Sequence, residues 1–220
     1  MTTMFEVEVE CRVCGEKCNR MSIGSTNSFG SPDLDTRPPE MQRSTIYQWI
    51  QRCPSCGYCS PDLSKCEANV AEIVATDEYQ NIITNTQIPE MAASFLALSY
   101  VEQTQGQFSE SSWRAIHAAW ICDDEYDLEA SISCREKAIS LINQANSHSQ
   151  NIAKQAGVSE VITIDLMRRA GKFQHALELI GKAKVSDIEE IILQVLEYQK
   201  SLIENSDTSV HTISEALGTT

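Results

Sequence analysis

Hydrophobic and polar positions change period part-way along the chain. Phe5, Val7 and Val9 alternate with Glu6, Glu8 and Glu10, a period of two that predicts a half-buried strand running into Cys11. Ile46 to Arg52 is a second β-rich run, leading into Cys53. Between them, Gly24 to Thr45 is polar, punctuated by Gly30, Pro32, Pro38 and Pro39, and reads as a long loop. Beyond Pro61 the period becomes helical. Cys66, Val70, Ile73 and Val74 fit one short face, and Phe95, Leu98 and Glu102 align within a helix over Glu90–Gln105. Trp113, Ile116, Trp120 and Ile121 form an apolar stripe. Leu128, Ile132, Arg135, Ile139 and Ile142 continue the pattern, with Arg135 its one polar member. The cleanest stripe joins Ile188, Ile191, Ile192, Val195, Leu196, Leu202 and Ile203. Residues 205–220 are small and polar, and are expected to be a frayed or disordered tail.

Two helix junctions share a local pattern. Gly106-x-Phe108 and Gly171-x-Phe173 each separate helical segments. The second is followed by Ala176, Ile180 and Ala183, the first by Ser111, Ala115 and Ala118. Glycine admits the tight turn, the aromatic ring seals it, and small residues let paired helices approach, as in tetratricopeptide repeats. The expected fold is therefore mainly α. A small zinc-ribbon β module occupies residues 1–65, with its polar loop at 24–45, and a tetratricopeptide-like antiparallel helical domain occupies 66–204. A generic antiparallel bundle is the alternative.

Composition narrows the possible roles. The 220 residues are 42% hydrophobic and 22% charged, ordinary for a globular protein. The start lacks a signal-peptide pattern and no apolar run approaches a membrane span, so the expected location is the cytoplasm. There, nine cysteines read as metal ligands and free thiols. The formal net charge is −14, and residues 67–220 carry ten Lys/Arg against twenty-three Asp/Glu. Such a surface repels phosphate backbones, which disfavours nucleic acid as a partner.

The chemistry concentrates in two motifs, Cys11-Arg12-Val13-Cys14-Gly15 and Cys53-Pro54-Ser55-Cys56-Gly57. Four sulfurs delivered by two such knuckles match the tetrahedral demand of one structural Zn2+. Cys11, Cys14, Cys53 and Cys56 are the expected ligands, and a filled set leaves no position for a catalytic water. Cys18 and Cys59 lie just past the knuckles. They are read as packing residues, with a redox role beside the zinc as the alternative. In the loop, Asn27, Asp33, Asp35, Arg37 and Glu40 are candidate contacts for a ligand or partner, against the simpler reading that these groups satisfy their own backbone. Asp123, Asp124, Glu125 and Asp127 are read as carboxylates that cap the following helix. No nucleophile, general base or open metal position is identified, so no catalytic residue is assigned and an enzyme is not expected.

The knuckles, the second continuing through Tyr58, the loop motif Asp33-Leu34-Asp35-Thr36-Arg37-Pro38 and the stretch Ala118-Ala119-Trp120-Ile121-Cys122-Asp123-Asp124 together resemble an uncharacterised bacterial domain of unknown function (domain of unknown function 2225). The similarity runs from about Phe5 to Ile203. It implies a metal-binding ribbon, tetratricopeptide-like helices and a bacterial source, and it supplies no reaction. Arg12 departs from the proline more usual in that first knuckle. The function expected is a non-catalytic zinc protein that binds a protein or peptide, favouring basic or polar-neutral segments because the helical part is acidic. A thiol-based redox sensor is the alternative.

Overall fold

The structure, a computed structural model, describes residues 1–182 and 189–219. Ala183 and Ile188, assigned above to helical faces, lie outside the described residues. The protein is mainly α, and the strands among the described residues all lie in the N-terminal region.

Strand β1 (Thr3–Glu10) pairs antiparallel with β2 (Lys17–Ser25), and the register sets Val7 against Arg20 and Val9 against Cys18. The second sheet is small: β3 (Gln51–Arg52) pairs with β4 (Cys59–Ser60). Here the Ile46–Arg52 expectation is corrected. A 3-10 helix at Arg43–Gln48 takes up the first three residues of that run, and only its last two are strand. The β-branched content misled because Ile46 and Ile50, four apart, are the positions that bury, while Tyr47 is exposed. Successive i→i+3 bonds, Thr45 N–H to Gln42 O (2.9 Å) and Trp49 N–H to Ile46 O (3.0 Å), wind the segment tightly.

Nine α-helices follow among the described residues: α1 (Val70–Val74), α2 (Asp77–Ile83), α3 (Glu90–Thr104), α4 (Phe108–Asp124), α5 (Leu128–Ser147), α6 (Val158–Arg169), α7 (Phe173–Lys182), α8 (Glu190–Glu204) and α9 (Ile213–Leu217). Helices α3, α4 and α5 run antiparallel in sequence. Phe95 of α3 meets His117 of α4 while Ser99 meets Ser111 nearer the turn. Phe108 at the start of α4 meets His148 just past the end of α5, and Cys122 near its end meets Cys134. Alanines 92, 97, 115, 118, 119 and 138 are fully buried along these helices, which lets the backbones approach closely.

Two hydrophobic cores result. The larger joins Cys11, Ile46, Ile50, Cys53, Tyr58, Cys59 and Leu63 of the N-terminal region to the inner faces of α1–α6, so ribbon and helices share one interior. The smaller contains Leu34 from the polar loop with Val161, Ile164, Ala176, Val195, Leu196 and Ile203 of α6–α8. The C-terminal tail differs from expectation. His211 O accepts from Leu34 N–H (2.9 Å), Ile213 N–H donates to Pro32 O (2.9 Å), and Thr212 caps α9 through a capping box with Glu215. Short polar residues there serve as caps and backbone partners, a use that composition does not distinguish from disorder.

Candidate metal centre

The two Cys-x-x-Cys turns fold alike. Cys11 N–H donates to Glu16 O (2.8 Å) and Gly15 N–H to Cys11 O (2.7 Å); Cys53 N–H donates to Tyr58 O (2.8 Å) and Gly57 N–H to Cys53 O (3.0 Å). Gly15 and Gly57 close these turns at φ of +77° and +76°, a region a β-carbon resists. The repeated geometry brings four sulfurs together within 4.8 Å of one another. Cys14 Sγ and Cys53 Sγ are 3.5 Å apart, Cys11 Sγ and Cys56 Sγ 3.8 Å. A tetrahedral ion with metal–sulfur bonds of about 2.3 Å requires sulfur spacings of about 3.8 Å. The donor set fits a metal ion.

The cluster is asymmetric. Cys11 and Cys53 are buried in the shared core, while Cys14 is exposed. Burial raises the Cys11 and Cys56 thiols. At Cys14 burial acts the same way but is outweighed by the Glu16 backbone amide and the Cys53, Cys56 and Cys11 sulfurs, which lower it to about 7. Among thiols this close, one therefore gives up its proton readily, a first step toward metal ligation.

Cys18 and Cys59 do not join the four-sulfur cluster. Cys59 is buried behind the second knuckle. Its N–H donates to the Tyr79 hydroxyl (3.0 Å), that hydroxyl donates to Gly57 O (3.0 Å), and burial pushes its thiol up to about 11. Cys18 is half-buried on β2 opposite Val9.

The loop candidates divide. Asn27 and Glu40 lie at the surface, whereas Asp33, Asp35 and Arg37 are buried, the last two with partners from distant helices. Asp35 accepts from Trp120 Nε1 (2.7 Å) and from Arg37 N–H (3.2 Å), and Arg169 lies 3.5 Å away. Arg37 pairs with Asp124 (2.5 Å) and Asp33 with Arg43 (2.6 Å). Burial raises the Asp33 carboxyl in spite of Arg43. The buried loop groups are satisfied within the chain, Asp33 by Arg43 nearby and Asp35 and Arg37 also by Trp120 and Asp124 of α4.

The acidic cluster is corrected as well. Asp123 and Asp124 are the last residues of α4, where the helix dipole disfavours carboxylates, and only Asp127 caps α5, accepting from Ala130 N–H (3.1 Å). Arginines compensate the other two. Arg135 grips Asp123 with two bonds (3.1 and 2.5 Å) and Arg169 adds a third at 2.9 Å. Burial opposes ionisation of Asp123, but these guanidinium groups outweigh it and lower its pKa. Sequence reasoning missed Arg169 and the buried Asp165–Arg168 pair (2.7 Å), whose only signal is two opposite charges three apart within an apolar helix.

The model of the family described as "Uncharacterized protein conserved in bacteria (DUF2225)" matches residues 4–203, and the chain belongs to that family. No curated protein and no solved structure matches it. The segment that docks on Pro32 and Leu34 falls beyond the matched residues.

Proposed function

With membership of this bacterial family as the premise, we propose that the protein is a zinc-bound, non-catalytic scaffold for a protein or peptide partner, working in the cytoplasm. The observation that carries the reading is the set of four converging thiolate donors, Cys11, Cys14, Cys53 and Cys56. All-sulfur tetrahedral coordination suits zinc and fills every position, so the ion braces structure and activates no water. Bound zinc would tie the two knuckles together next to the inner faces of α1–α3, since Cys11 and Cys53 already belong to that core.

A scaffold role draws support from the helices. Gly106 and Gly171 end α3 and α6 with the same pair of backbone bonds, and each opens a helix headed by phenylalanine, consistent with a tetratricopeptide-like layering. Stacked helical layers present extended concave surfaces suited to peptide segments.

Elemental analysis of the purified protein should give about one zinc per chain, lost in Cys53→Ser. Cross-linking in a bacterial lysate should capture a reproducible partner with the zinc-loaded protein and not with Cys53→Ser. Full metal retained by the variant would overturn the ligand set. Absence of any captured protein at full zinc occupancy would overturn the scaffold.

A further inference from the structure

A cleft of about 680 Å³ opens between the ribbon and the helices, and its lining has an unusual order. It takes three consecutive residues of β2, Asn19, Arg20 and Met21, and the whole of β3, Gln51 and Arg52, but none from β1 or β4. Side chains alternate along a strand, so a run of consecutive lining residues brings main-chain as well as side-chain groups to the cleft. Each of these strands pairs on one side only, β2 with β1 and β3 with β4. The cleft is therefore lined by two strands that each keep one edge unpaired among the described residues. Such edges present main-chain donors and acceptors ready for pairing.

One group spans the gap. The Arg20 guanidinium donates to the main-chain carbonyl of Arg52, taking up an acceptor on the open edge of β3. Arg20 Nε and Gln51 Oε1 are buried without partners, so hydrogen-bonding capacity is left over along both edges. Charge adds direction. Arg20 makes no ion pair within 4.0 Å among the described residues, and Arg52 pairs at 3.2 Å with Glu90, a side chain that is 81% exposed at the rim. Two carboxylates, Glu90 and Glu125, also line the cleft, and both are exposed at its rim, so Arg20 is the lining cation without an ion pair. Met21 and Met91 supply flexible apolar surface beside them, able to adapt to different side chains.

We propose that this cleft is a docking site for an extended peptide segment of alternating acidic and apolar residues, which adds as a strand between β2 and β3. Its carboxylates replace Glu90 on Arg52 and reach Arg20, and its apolar side chains lie against Met21 and Met91. The volume falls within the range of built ligand sites. Main-chain pairing supplies affinity in this mode, and alternate side chains supply selectivity. The segment is short because the molecule's net charge of −14 opposes a long acidic partner. This assignment rests on the scaffold reading above and names its surface, and its acidic ligand, set by the local arginines, takes the place of the basic or polar-neutral segments expected from net charge.

The test uses a fluorescein-labelled Val-Glu-Val-Glu-Val-Glu peptide and its Val-Lys counterpart with the zinc-loaded full chain. The acidic peptide should bind by fluorescence anisotropy and slow amide exchange at Asn19–Met21 and Gln51–Arg52. The Val-Lys peptide should not. Replacing both arginines (Arg20→Gln with Arg52→Gln) should weaken binding by about tenfold or more, the loss expected for charge-assisted hydrogen bonds. Met91→Asp, which leaves both arginines in place, should weaken it separately while circular dichroism stays that of wild type. Equal binding of both peptides, protection mapped elsewhere, or no binding overturns the proposal. Concentration-dependent protection of the same amides without peptide assigns the cleft to a second copy and also overturns it. A failed peptide with lysate capture intact removes the cleft alone; failure of both removes the scaffold reading with it.

Discussion

His117 shows how burial sets the chemistry of a single side chain. Trp49, Phe95, Trp113 and Trp120 surround its ring at centroid distances of 5.0–6.1 Å, and Nδ1 has no partner. Burial first, and the nearby Arg114 charge second, lower its pKa from 6.5 to about 3. The unfolded chain then binds the proton more readily, so the His117 contribution is fully present above pH 6.5 and is lost as pH falls toward 3. Glu102 runs the other way. Burial raises it from 4.5 to about 7 although Arg114 lies 3.0 Å away, so its contribution is present below 4.5 and lost as pH rises through 7. Between pH 4.5 and 6.5 the two oppose each other. Glu102→Gln should therefore make stability climb with pH across this window, and His117→Phe should make it fall. The limiting slope is about 1.4 kcal/mol per pH unit for one proton. Urea midpoints measured across this window test the assignment, and parallel profiles for wild type and both variants would reject it. At this scale the cysteine knuckles were legible because their spacing is local. The partners of Asp35 and Arg37 were not, since Trp120 and Asp124 lie 85 and 87 residues away.

The helices end by a shared device that the sequence only partly reveals. At Gly106, Tyr126, Ser149, Gly171, Ser206 and Gly218 the chain takes a positive φ of 55–76°. In each case that residue's N–H bonds three residues back and the next N–H bonds five residues back, as Gly106 to Gln103 and Gln107 to Glu102. This is the Schellman arrangement, which satisfies the last carbonyls of a helix. The Gly-x-Phe pattern found two of the six because glycine marks the left-handed position. Tyrosine and serine do not, so those ends carried no signal. Tyr126, 95% exposed with φ of +59°, strains its backbone without packing in return. Relief of about 1–2 kcal/mol, less the added freedom of glycine in the unfolded chain, predicts that Tyr126→Gly stabilises by roughly 0.5–1 kcal/mol. A thermal midpoint unchanged or lowered by that substitution would contradict this account. The same limit of local pattern explains the 3-10 helix at Arg43–Gln48, where β-branched content outweighed the four-residue spacing of its two buried isoleucines.

At the scale of the molecule, the buried part of the polar loop is a seam. Leu34 enters the smaller core, Trp120 of the larger core donates to Asp35, and Ser31 accepts from Ser214 N–H across 183 residues. A local reading cannot find such a seam, because each contact is defined only once the chain has returned on itself. The cysteine knuckles are tied in by the same logic, since Cys11 and Cys53 share one interior with α1–α6. Structural zinc contributes on the order of 10 kcal/mol in small modules, and a shared interior passes its loss to the helices. Chelation of the zinc-loaded protein should therefore lower the helical melting transition measured by circular dichroism at 222 nm, in one cooperative step. An early transition that unfolds the ribbon and leaves the helical midpoint unchanged would instead make residues 1–65 autonomous. The expected coupling follows from placement: Ile46, Ile50, Cys53, Tyr58 and Leu63 pack where the inner faces of α1–α3 would otherwise meet water. Loss of a bound metal there would expose helical apolar surface together with the knuckles.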